Sequence, residues 1–231
     1  LTEEEKLKGI DLNKKYIVPL DKGGESDPST GWLPNYSVDC DYYFNWSKES
    51  VKLLYKLKGM RNPTIHFKKG ITFSWAGEYA PTFRISAMGI FDQSSSSIQN
   101  YEFVHSTEEL LSILSSKISK FLQKSYIDNS VNTDIDVASN LLITISISKS
   151  ITSYVLSIIQ KQKHNPRYDY ASHEQIEIDK LVYEAYGLNA DDVLEVENWY
   201  SRRYPKLSAA QKANLRALGK SDDYLELYGL K

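Results

Sequence analysis

Between Lys68 and Ser97 the chain reads KKGITFSWAGEYAPTFRISAMGIFDQSSSS. β-Branched and aromatic residues alternate with small hydroxyl residues through Ile71–Trp75. Gly77 interrupts, Pro81–Ser86 resumes the pattern, and Ile90-Phe91 leads into four serines. Alternation of this kind, punctuated by Gly and Pro, requires half-buried strands joined by turns. One face of the strands goes to a core, while the other can present Thr72, Ser74, Thr82 and Arg84 beside Lys68 and Lys69. Small hydroxyls with cations suit a polyanion.

The strand pattern does not run through the chain. Residues 1–15 read as a helical or frayed lead-in to a strand at Tyr16–Leu20, followed by the turn-rich Asp21-Lys-Gly-Gly-Glu25 and an aromatic stretch, Tyr36–Trp46. Ser47–Lys58 has Val51, Leu54 and Leu57 at helical spacing. Ser106-Thr-Glu-Glu109 is a capping box opening a helix with Leu111, Leu114, Ile118, Phe121 and Leu122 on one stripe. Lys117, Lys120 and Lys124 fall off that stripe. Asn129–Asn140 reads as a polar loop and Leu141–Ile147 as the last strand. Beyond it everything reads as helix: Ser148–Gln162, then Ile176–Tyr186 capped by Ser172–Gln175 and ended by Gly187. Val193–Arg203 follows, opened by Asn189–Asp192 and stopped by Pro205. A helix capped by Ser208–Gln211 runs to Gly219, and a short turn spans Asp222–Tyr228. The expectation is a mixed α+β fold with a twisted, mostly antiparallel sheet in residues 1–147 and a helical region in 148–231.

Net charge is −2 over 231 residues, but the charge is segregated. Ser47–Arg84 holds eight Lys/Arg against two Glu, a block of +6; Glu174–Trp199 sums to −7, and Tyr200–Lys220 to +6. The first block flanks the strand pair, which makes it the more suggestive of an anionic partner. No run approaches the length of a membrane span. The start, Leu1-Thr-Glu-Glu-Glu-Lys, is no signal peptide and lacks Met, so the expectation is a piece of a longer, cytoplasmic protein. The single cysteine, Cys40, fits a reducing compartment and a structural thiol.

Catalytic signatures are not legible. His66, His105, His164 and His173 lack metal-ligand spacing, and one cysteine cannot build a zinc site. No Gly-x-Ser-x-Gly elbow occurs. Asp191-Asp192 sits at a helix start, where carboxylates complement the dipole. Asn165-Pro-Arg-Tyr168 is superficially like the Asn-Pro-Pro-aromatic tetrapeptide of amino-methyltransferases. Arg167 replaces the second proline, and no glycine-rich cofactor loop precedes it.

Several segments, taken in order, resemble the target-recognition region of large adenine-specific DNA methyltransferases, the type IIG restriction–modification and BREX-type phage-defence enzymes. They are Asp21-Lys-Gly-Gly-Glu25, Gly70–Trp75, Pro81–Arg84, Gly89–Asp92 with its serines, Leu111–Lys117 and Glu177–Gly187. The resemblance covers about residues 16–200. It implies a sequence-reading piece that binds double-stranded DNA and carries no catalytic residue or cofactor of its own. An upstream domain of the parent protein would bind S-adenosylmethionine and methylate adenine N6. A family loop rich in Arg/Lys is replaced here by the neutral-to-acidic Ser26–Asn35.

Recognition needs cations and backbone amides for phosphates, and side chains for base edges. Lys22, Lys68 and Lys69, with Lys117 and Lys120, are the candidates for phosphate, and Gly23-Gly24 could lend amides. Arg84 could reach guanine O6/N7, with Thr72, Ser74 and Thr82 bonding several bases; its alternative is an ion pair with Asp92. Trp75 and Phe83 are expected in the core, with groove packing the alternative. A protein–protein docking module is the alternative function.

Overall fold

The computed structural model describes residues 1–57, 63–75, 79–91, 95–99 and 104–228. The expected turn at Gly77, Lys58 at the end of its helix, and Asp92 lie outside them.

Helix α1 (Glu3–Lys8) is closed by a Thr2–Glu5 capping box. Strand β1 (Ile17–Asp21) pairs antiparallel with β2 (Tyr43–Asn45), and Ser47 caps α2 (Lys48–Lys56). The alternating stretch yields β3 (Ile71–Ser74), β4 (Phe83–Ile85), β5 (Ile90–Phe91) and β6 (Ser95–Ile98). These form two three-stranded sheets, β2-β1-β5 with β1 and β5 parallel, and the fully antiparallel β4-β3-β6. Then come α3 (Thr107–Ser115), α4 (Lys117–Leu122), α5 (Ile135–Ser139), α6 (Ile151–His164), α7 (Glu174–Ala185), α8 (Ala190–Arg203), α9 (Pro205–Ala217) and α10 (Asp222–Glu226). The fold is mixed α+β.

The capping boxes at Ser106–Glu109 and Asn189–Asp192 form as the sequence requires, and Gly187 and Gly219 end helices at positive φ. Five details differ from expectation. The stretch Asn129–Asn140, expected as a polar loop, contains α5, which Asp134 caps by accepting Val137 N–H at 2.8 Å. Leu141–Ile147 forms no strand; Tyr186 and His105 bond its carbonyls at Leu142 and Thr144, and it has no ladder partner among the described residues. Pro205, besides stopping α8, occupies the first turn of α9, where a missing N–H costs nothing, so Ser208 lies inside that helix. His173, not Ser172, precedes α7 and gives no side-chain cap. The helix expected from Ser106 onward is two helices. Ser116, extended at ψ 159°, ends α3 and caps α4 through Ser119 N–H.

That break turns the off-stripe lysines inward. Lys117 N–H donates to Asp179 Oδ1 of α7 at 3.0 Å, and Lys117 Nζ meets Glu197 of α8 at 2.6 Å. Lys120 Nζ bonds the carbonyls of Ser115 and Ser116, and Lys124 Nζ those of Ser130 and Asn132. None is free for phosphate, which corrects the expectation for Lys117 and Lys120. The largest core cluster joins Ile71, Phe73 and Phe83 of the sheet to Leu111, Leu114, Ile158, Val182 and Val196, so segments on both sides of residue 148 share one core. A second cluster packs Val51 of α2 with Ile10, Val18, Trp46, Phe67 and Ile90.

Burial lowers the Lys120 ammonium to about 8, from 10.5, and raises the Asp179 carboxyl to about 6, from 3.8. Between pH 8 and 10.5 the unfolded chain holds the lysine proton and the folded chain does not. Lys120 therefore makes stability rise with pH there, by up to about 1.4 kcal/mol per unit. Asp179 makes stability fall between pH 4 and 6. Urea denaturation should show the alkaline rise in the native chain and its loss in Lys120→Met; an identical rise in the variant would contradict this placement.

Candidate nucleic-acid interface

The predicted reading face is turned inward. Thr72, Thr82 and Arg84 are 0%, 3% and 2% exposed. Thr72 and Arg84 face each other across β3–β4, and Thr72 Oγ1 donates to the Arg84 carbonyl at 3.4 Å. The Arg84 guanidinium points at β1, where it pairs with the buried Asp21 carboxylate and donates to Ser74 Oγ at 3.1 Å. Among the described residues Asp21 is its partner; the alternative, Asp92, lies outside them. A guanidinium sealed in this way reads no base edge, and the proposed roles of Arg84, Thr72 and Thr82 in direct readout are corrected accordingly. The reason lies in the tertiary packing. Strand β3 is central in its sheet, α3 packs on β4, and Tyr36 adds a bridge to β4's other edge through Tyr36 N–H to Phe83 O and Ile85 N–H to Tyr36 O.

What Arg84 does instead is hold the Lys22-Gly23-Gly24 loop. Asp21 Oδ1 also accepts Gly23 N–H at 2.9 Å, so one carboxylate ties loop to strand. Gly23 has φ +84°, and a Cβ there would stand 2.5 Å from Ser74 Oγ. At Gly24 a Cβ would meet Pro34 Cβ at 2.7 Å. Both glycines are thus required by close approach, and the loop is seated on the end of β3. Ser74 is half-buried there, and Trp75, expected in the core, is 47% exposed. Phe83 is in the core as expected.

Lys22 is exposed, its Nζ 5.0 Å from the Tyr42 ring centroid. It borders a small cleft of about 20 Å³ that Asp21, Asp39, Asp41, Tyr42 and Arg84 also line. Carboxylates outnumber cations in that cleft, so it suits hydrogen-bond donors better than phosphate. Cys40 sits there as a structural thiol, donating to the Tyr42 carbonyl. Lys68 and Lys69 are exposed as expected, but at the opposite end of β3 from Ser74. Six residues of extended chain span about 20 Å. The structure therefore brings together Lys22, Gly23, Gly24, Ser74 and Arg84, and leaves Lys68 and Lys69 apart.

Sequence reasoning missed Asp21 as the organising partner and Asp39 and Asp41 as neighbours of Lys22. Among the described residues no cluster of His, Cys, Asp or Glu could hold a metal, and no helix is long and apolar enough to cross a membrane. No protein-family model matches the chain, and no curated protein is similar to it.

Removing one member of a buried ion pair costs about 3–5 kcal/mol. Arg84→Ala should lose stability on that scale in chemical denaturation, while Lys22→Ala should change it by less than about 0.5 kcal/mol. Equal, small effects would return Arg84 to the set of free surface groups.

Proposed function

We propose that this chain is the sequence-reading region of an adenine-N6 DNA methyltransferase, whose catalytic chemistry and S-adenosylmethionine site belong to another domain of the parent protein. One observation carries this reading. The separate segments that resemble such enzymes meet in three dimensions. Asp21 pairs with Arg84, Gly23 sits on Ser74, α3 packs on β4, and Asp179 caps the helix that starts at Lys117. Segments recurring together for one shared purpose are expected to touch.

The contacts follow from what is exposed. Lys68 and Lys69 hold phosphates and set register. The rim of the cleft offers base-edge chemistry, because Lys22 can donate to guanine O6/N7 while Asp39 and Asp41 can accept from cytosine N4. Carboxylates that disfavour phosphate are in this way compatible with a groove contact. Gly23-Gly24 bring the loop backbone close to the strand end and keep the rim rigid. Arg84 is a positioning residue.

A docking module is the second reading, favoured by Leu142 and Ile145, which are strongly exposed on the segment that forms no strand. Fluorescence anisotropy with random and selected duplexes, between 50 and 200 mM salt, separates the two. The DNA reading expects salt-dependent binding. The Lys68→Ala/Lys69→Ala double variant should weaken all sequences alike and reduce the slope of log K against log[salt] by about two. Lys22→Ala should relax preference at one position by roughly 1–3 kcal/mol. No duplex binding at any salt would overturn the reading in favour of docking.

A further inference from the structure

Helix α2 carries lysines at positions 48, 52 and 56, a four-residue repeat that drifts only slowly around the helix. Val51 is buried and Leu54 packs beside it against the second core, which turns the lysine stripe to solvent. Most other lysines near this core are neutralised: Lys6 by Glu3, Lys8 by Glu4, Lys14 by Glu5, and Lys48 by Asp11 at 2.7 Å. Lys52 and Lys56 are exposed and have no carboxylate within ion-pair distance among the described residues. Tyr55, 46% exposed, lies next to them on the helix surface.

From these observations we infer that α2 is a second phosphate-binding element, lying along one strand of a duplex with Lys52 and Lys56 on alternate phosphates. Four residues of helix rise about 6 Å. Two nucleotide steps of one strand advance about 6.8 Å along the duplex axis, a match within the reach of lysine side chains. The Tyr55 hydroxyl is a further donor of the type that phosphate oxygens accept. Phe67, directly before Lys68 and Lys69, belongs to the same core cluster as Val51, so both cation sets are carried by one packed unit. Charge complementarity selects a nucleic-acid backbone as the occupant. Lys48 takes no part, since Asp11 occupies it.

This inference rests on the DNA reading above, and its test distinguishes failure of the two. Lys52→Ala/Lys56→Ala removes only surface side chains, and circular dichroism checks that the fold is kept. Anisotropy titrations of the native chain and this variant on one duplex, across the same salt range, should show the slope reduced by about two, alike for selected and random sequences. An unchanged slope, with the native chain binding normally, overturns the role of α2 and leaves the DNA reading standing. Absence of binding by the native chain overturns both. Competition by poly-glutamate as effective as that by duplex, charge for charge, would mark α2 as a surface for acidic protein and overturn the proposal.

Discussion

The contact between the Arg84 guanidinium and the Asp21 carboxylate, both removed from water, governs the arrangement of the sheet region. It joins β4 of one sheet to β1 of the other and draws Ser74 and Gly23 N–H into the same polar knot. A buried charge without a partner costs several kcal/mol, so each element is held where the others can satisfy it. The loop that begins at Lys22 therefore has one seat. Its exposed edge becomes a fixed rim beside the Lys22 side chain.

A second buried network does the same for the helical side. Asp179 and Glu197, on α7 and α8, receive the backbone and side chain of Lys117 across the break at Ser116. Gln175 completes it, donating to Asp179 and accepting from Tyr36 at 2.7 Å. The acidic block of the tail is in part internal structure, while the Lys/Arg of the basic block stay at the surface. Two of the acids that make Glu174–Trp199 so negative are buried against lysines from α4.

Much of the fold was legible because it depends on local signals. The capping boxes, the glycine stops and the alternating strands are written within four or five residues, and local chemistry decides them. The site was less legible because its decisive contacts are distant in sequence. Period-2 alternation says that Arg84 and Thr72 share a face, but not which face is covered. The covering comes from α3 and from Tyr36, which is fully buried with φ +68° and bridges to β4. No pattern around Asp21 announces a partner 63 positions away. The strand expected at Leu141–Ile147 has the right propensities but no neighbour to pair with among the described residues, and a strand without a ladder is only an extended segment.

The most direct test of the account is the chemical accessibility of each lysine with and without duplex DNA, read by acetylation and mass spectrometry. Lys117 and Lys120 should resist labelling in both states, while Lys22, Lys52, Lys56, Lys68 and Lys69 label freely in the unbound chain and are shielded by duplex at low salt. Ready labelling of Lys117 and Lys120, or shielding no stronger at those five positions than at Lys161 and Lys180, would contradict it.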